Sequence, residues 1–127
     1  MKKVLLDTNF ILRYSLKDIE SQYIQAQKTF KEIESGITRA YLSLLVINEF
    51  SWINEKYYKV PRTIYVSWLI KFVLLNKVEI VEVRKELVIQ LLETMLKKNL
   101  DLTDLYLCCI KEDKKVLTFD KNLLKIL

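Results

Sequence analysis

Four carboxylates in this chain stand where they could do chemistry: Asp7, Glu49, Asp104 and Asp120. Asp7 follows the apolar run Val4-Leu5-Leu6, and Asp120 follows the run Lys115 to Phe119. An aspartate at the tip of a parallel strand sits where α/β sheets bind their ligands, just outside the carboxyl ends of the strands. The same residue is also a good N-cap for the helix that follows, and either role accounts for each aspartate taken alone. Glu49 lies beside the helical stripe Val46, Phe50, Ile53 and Tyr57, with Leu42, Leu45 and Trp52 crowding the same side. Glutamate is rarely buried unless it is paired or bound to a metal. Its plainer reading is a stripe-edge residue that reaches solvent or pairs with Lys56. Asp101 and Asp104 flank the start of a later helix, where N-cap and dipole effects alone would favour them.

Carboxylates gathered in one cleft repel each other unless cations neutralise them. Hard oxygen ligands select Mg²⁺ or Mn²⁺. Such a site can activate water and stabilise the leaving oxygen of an in-line displacement at phosphorus. Histidine is absent from the chain. That excludes Ser-His-Asp and Cys-His catalysis and any histidine metal ligand. Gly36 is the single glycine, so glycine-rich phosphate loops are excluded as well.

The elements that would position these acids alternate between short apolar runs and helical stripes. Strands are expected at Val4–Leu6, Thr38–Leu42, Val78–Val83 and Lys115–Phe119, the first buried on both faces. Helices are expected at about 9–15, from Asp18 to Gly36, after Ser43, from Pro61, at 84–98 and at 102–111. Their inward stripes include Ile19, Tyr23, Ala26, Phe30 and Ile33 in the second helix, and Ile64, Trp68, Phe72 and Leu75 in the fourth. Ser43 is an N-cap, Pro61 opens a helix and Gly36 closes one. Strands separated by helices imply right-handed crossovers. The fold class is therefore α/β: a helix-rich three-layer α/β/α arrangement around a central parallel sheet of about four strands. No composition break divides residues 1–127, which read as a single domain.

Of 21 basic residues 17 are lysine, and the net charge is +5. That balance suits a polyanion such as RNA, and equally a lysine-rich surface kept for solubility. Arg13, Arg39, Lys56, Lys59 and Arg62 are the candidates for such a rim. Cys108 and Cys109 are adjacent, cannot form an ordinary disulfide and read as small core residues of a reducing compartment. The apolar stretch from Val66 to Leu75 is broken by Lys71 and is too short to span a membrane. A cytoplasmic location is expected.

The ordered set Asp7-Thr8-Asn9, then Ser43 and Asn48-Glu49, then Asp101 and Asp104, then Leu117-Thr118-Phe119-Asp120 resembles a PIN domain over essentially the whole chain. The compact length and the Thr118-Phe119-Asp120-Lys121 ending are most similar to the VapC-type toxins of toxin–antitoxin pairs. The resemblance implies a Mg²⁺/Mn²⁺-dependent endoribonuclease, with Asp7, Glu49 and Asp104 as the core ligands for one or two ions and Asp120 as a fourth acid. It implies supporting roles for Asn9, Asp101 and Thr118. It also implies a homodimer, a cognate antitoxin, and a sheet in which the first strand is central with the last beside it. Leu105 departs from the small residue usual after the third acid. Two other readings stand beside this one. An aspartyl-phosphate-forming phosphatase or phosphotransferase would use Asp7 as nucleophile, but it expects a second aspartate where Asn9 stands. A catalytically silent RNA- or protein-binding module would keep the fold without the reaction.

Overall fold

A computed structural model describes all residues, 1–127. Three strands form one parallel sheet: β1 (Lys2–Leu5), β2 (Thr38–Leu42) and β3 (Val78–Ile80), in the order β1-β2-β3. Lys2 is opposite Thr38 and Leu5 opposite Tyr41; Ala40 is opposite Val78 and Leu42 opposite Ile80. Parallel neighbours need long crossovers, and helices supply them. Between β1 and β2 run α1 (Thr8–Leu16) and α2 (Glu20–Glu34). Between β2 and β3 run α3 (Leu44–Trp52), a π-helical turn (Ile53–Tyr57) and α4 (Arg62–Val73). After β3 come α5 (Lys85–Lys97), α6 (Leu102–Ile110) and α7 (Lys121–Leu124).

The α/β class and the helix-rich pattern are as expected, but the sheet has three strands and β1 is at its edge. Residues 115–119, expected as a last strand beside β1, lie outside the sheet. The free edge of β1 explains its exposure: Val4 is half-buried and Leu5 is 73 % exposed, not buried on both faces. Leu117 and Phe119 are likewise in solvent. β2, flanked on both sides, buries Thr38, Ala40 and Leu42.

Packing moved two helical stripes by one position. In α3 and the turn after it the buried residues are Ile47, Phe50, Ser51 and Asn54. Val46 and Ile53 are half-buried and Tyr57 is exposed. A π-helical turn inserts an extra residue into the 3.6-residue repeat, so the continuous stripe to Tyr57 breaks there. In α4 the buried set is Tyr65, Val66, Leu69, Phe72 and Val73, and Ile64 is exposed. Cys109 is exposed rather than in the core, while Cys108 is half-buried and packs against the edge of the core.

An aromatic stack joins the crossover helices. The Tyr14 and Phe30 rings lie 4.0 Å apart and nearly parallel. Phe72 is 5.0 Å from Phe30 and 5.4 Å from Trp68, which in turn is 5.5 Å from Phe50. Offset aromatic pairs contribute about 0.5–1.5 kcal/mol each beyond burial, so this cluster locks α1, α2, α3 and α4 to one another.

The start of α3 is held by two side chains. The Ser43 hydroxyl accepts from the Leu45 amide at 3.1 Å and donates to Glu82. Glu82 accepts in turn from the Leu44 amide at 2.8 Å. Desolvation pulls the Glu82 carboxyl up, but the hydrogen bonds from Ser43, Leu44 and its own backbone outweigh it and hold the group below the usual carboxylate range. Ser43→Ala is expected to cost about 1 kcal/mol at neutral pH, as N-cap losses do. Because Glu82 titrates low in the folded state, its contribution is present above its unfolded pKa and fades as pH falls through the folded value. Urea unfolding of both proteins from pH 7 downwards should show the gap narrowing on acidification; a constant gap would exclude Glu82 from the cap.

Candidate functional site

Asp7 occupies the turn from β1 into α1. Its backbone is extended and its carboxylate makes no capping bond to α1, so the side chain is exposed and free. The neighbouring Thr8 is buried, while Asn9 is exposed. Asp7 and Asn9 stand at one end of an open cleft of about 300 Å³ between α1 and α2, which Phe10, Arg13, Gln22 and Gln25 complete.

Glu49 is exposed rather than buried, because the face of α3 that packs inward is the one carrying Ile47, Phe50 and Ser51. Leu45 and Trp52 do share its side of the helix, at positions four before and three after. They are 77 % and 60 % exposed, so Glu49 is flanked by two apolar side chains in solvent.

Asp104 is half-buried in the first turn of α6, and Leu105 beside it is buried, so a large residue fits after the acid. Burial pushes the Asp104 carboxyl above its ordinary value, and the neighbouring charges of Asp120 and then Asp101 push the same way. Asp120, sixteen residues further along the chain, is thus near enough in space for its charge to be felt at Asp104. Asp120 is not at a strand end. It is the N-cap of α7, its carboxylate accepting from the Leu123 amide at 3.0 Å. Thr118 accepts from the Asp120 amide at 3.0 Å and so sets the entry to that cap.

Asp101 is the backbone N-cap of α6, yet its side chain does not cap the helix. Arg62 has taken it: Nη2 lies 3.4 Å from the Asp101 carboxylate. The same guanidinium binds Glu55 through Nε and Nη2 at 3.0 and 3.1 Å. Its Nη1 donates to the carbonyls of Met95, Lys98 and Leu100, the last at 2.9 Å. One side chain thus gathers the π-helical turn, the end of α5 and the start of α6. Thr103 adds a second tie, its hydroxyl donating to the Asn48 side-chain Oδ1 at 3.1 Å, which joins the helix of Asp104 to the helix of Glu49. A cavity of about 60 Å³ lies beneath, lined by Ser51, Tyr65 and Asp101 among others. Burial, with Glu55 adding to it, pushes the Tyr65 hydroxyl up to about 12.

The basic candidates behave differently from a free rim. Arg13 pairs with Asp18 at 3.0 Å and Arg39 with Glu79 at 2.7 Å, and Arg62 is internal to the structure. Lys56 and Lys59 remain exposed. The structural role of Arg62 and the Asn48–Thr103 link carry no short sequence motif. The one local sign is arginine next to Pro61 at a helix start, a poor place for a cation facing the helix dipole unless something anionic holds it.

The donor chemistry fits a hard divalent ion: the charged groups felt by Asp104 are the carboxylates of Asp120 and Asp101, and the chain has no histidine, although the Cys108 thiol lies one turn further along α6. The spacing is looser, because no three of the acids converge closely enough to enclose an ion by themselves. Water would have to complete the shell, as Mg²⁺ commonly allows.

The like-charge crowding has a measurable consequence. Asp104 titrates above its unfolded value, so the native state holds the proton more tightly. The contribution of Asp104 to stability is then greatest at acidic pH and falls as pH rises through its folded pKa. Without divalent ions, Asp104→Asn should be more stable than the parent at pH 7, with the difference shrinking as both are acidified. Thermal melts across that range decide it; a variant less stable at pH 7 would mean that Asp104 is not repelled in the fold.

Known proteins bear on the chain through its family. No curated protein and no solved structure matches it significantly. The family model described as "PIN domain" matches residues 4–126, from β1 through α7. PIN domains are in general nucleases, and they typically use divalent metal ions. With nearly its whole length covered, from the strand that leads to Asp7 to the helix that follows Asp120, this chain belongs to the PIN domain family.

Proposed function

We propose that the protein is an endoribonuclease that hydrolyses phosphodiester bonds with Mg²⁺ or Mn²⁺ held by Asp7, Glu49, Asp104 and Asp120. The observation that carries this reading is the crowding of Asp104 by Asp120 and Asp101, which leaves a half-buried carboxylate short of positive charge. A bound divalent ion supplies that charge, and it makes an attacking water more acidic. The rest falls to the side chains. Asp104, fixed on α6 by Leu105 and by the Arg62 clamp, would be the ion's best-positioned ligand. Asp120, held by its cap to Leu123, would add a second carboxylate. Asp7 and Glu49, both exposed, would complete the set. In the displacement a water oxygen forms the new bond to phosphorus, the bridging oxygen of the leaving nucleotide departs, and that oxygen takes up a proton. Asn9, Thr118 and Asp101 support the acids: Thr118 through the turn before Asp120, Asp101 through Arg62.

The same reading extends to the toxin of a toxin–antitoxin pair in the cytoplasm, a homodimer restrained by a cognate antitoxin. The likeness in its motifs to VapC-type toxins supports this. So do Leu45 and Trp52, apolar side chains beside Glu49 that a protein partner would cover.

Mixed tRNA, rRNA and mRNA incubated with the protein should be cleaved with Mn²⁺ or Mg²⁺ and left intact with EDTA. Asp7→Asn and Asp104→Asn should each lower the rate by at least about 100-fold while the circular dichroism spectrum stays unchanged. Cleavage that survives both substitutions would assign the activity to another site.

A further inference from the structure

The cleft that begins at Asp7 has a composition the metal chemistry does not use. Three of its side chains are uncharged amides: Asn9 from α1, and Gln22 and Gln25 from α2. All three are exposed, and the side chain of each lacks any hydrogen bond within the protein. Gln22 and Gln25 are three residues apart, which turns both to the same side of α2. Half-buried Phe10 supplies an aromatic wall, backed by Phe30 at 6.2 Å between nearly parallel rings. Arg13 is the cleft's cation, but Nη1 is paired with Asp18 and Nη2 bonds the Tyr58 hydroxyl at 3.3 Å.

These features choose between the parts of a nucleotide. A phosphate needs a free, exposed cation; here both terminal nitrogens of the guanidinium are engaged and the unpartnered Nε is buried, and Asp7 at the rim would also repel it. A nucleobase needs a flat apolar face to stack on and neutral donors and acceptors for its edge. The cleft offers one aromatic ring and three amides, each with a donor and an acceptor. Its volume of about 300 Å³ is at the lower end of small-ligand sites. We infer that the α1–α2 cleft is a base-reading pocket: Phe10 stacks, and Gln22, Gln25 and Asn9 hydrogen-bond, an unpaired base next to the phosphate that reaches Asp7. This rests on the ribonuclease reading for the position of that phosphate, but base recognition itself needs neither metal nor cleavage.

The test is therefore a binding measurement. Fluorescein-labelled single-stranded oligo(A), oligo(C), oligo(G) and oligo(U) are titrated with the full-length protein in EDTA, followed by anisotropy. The parent should prefer one base, with adenine first because a carboxamide matches its edge in two hydrogen bonds. Gln22→Ala combined with Gln25→Ala should weaken the preferred oligonucleotide roughly tenfold, the scale of one base-edge contact, and bring all four together. Phe10→Leu should weaken all four by a similar factor, since stacking is base-tolerant. Gln90→Ala, on the distant α5, should change nothing. Equal binding of all four by the parent, or a preference that survives the double substitution, overturns the pocket; so does a parent that binds none of them, which would turn the cleft over to a protein partner. RNA cleavage without base preference sinks the pocket alone, whereas base-selective binding without cleavage sinks the nuclease reading alone.

Discussion

The Arg62 guanidinium sits where three pieces of chain meet, and the placement of α6 depends on it. The last carbonyls of a helix lack intrahelical partners, and here the end of α5 and the loop beyond it present Met95, Lys98 and Leu100 to one arginine. Planar, forked and permanently charged, arginine can serve carbonyls and two carboxylates at once where lysine could not. Glu55 and Asp101 complete its charge. In exchange α6 gives up the side-chain cap that Asp101 would otherwise make. Asp104 rides on the first turn of that helix, so the position of the most crowded acid is set by a cation that never faces the cleft.

Charge is distributed in a consistent way around this clamp. The three arginines paired in the fold, Arg13, Arg39 and Arg62, each take an acid that has no part in the candidate centre or only supports it. Asp7, Glu49, Asp104 and Asp120 are all left without a basic partner. The net charge of +5 then resides largely on solvated lysines, which can draw a polyanion towards the molecule without neutralising the carboxylates. Two distinct environments result. Around Asp104 there is a shortage of positive charge; in the α1–α2 cleft there is a neutral, amide-lined space beside an aromatic ring.

Much of the fold was readable from the chain. β2 has the expected bounds, Ser43 is the cap of α3, and Gly36 adopts the positive φ of 84° that ends α2 cleanly. The departures have separate causes. Residues 115–119 have strand composition, yet they remain outside the sheet, because composition says what could pair and not whether an edge is reached. The apolar stripe of α3 reads on to Tyr57 in the sequence, but a π-helical turn that nothing in the local sequence announces breaks it. Glu49 is exposed for another reason: α3 turns the face of Ile47, Phe50 and Ser51 inward. Its apolar neighbours Leu45 and Trp52 were correctly grouped with it, but the group faces out.

Composition limits the chemistry that is open to this protein. With no histidine, carboxylates are the groups best suited to binding a hard metal ion, and their order along alternating strands and helices resembles a PIN domain. Tertiary structure alone decided which of those groups are free and which are occupied. Arg62 could have met RNA, but it closes a helix junction; Asp101 could have capped α6, but it completes Arg62; Asp120 could have ended a strand, but it caps α7. The reason is physical: composition and spacing reveal what a side chain can bind, whereas the partner it takes depends on distances between segments far apart in the chain, and only packing sets those distances.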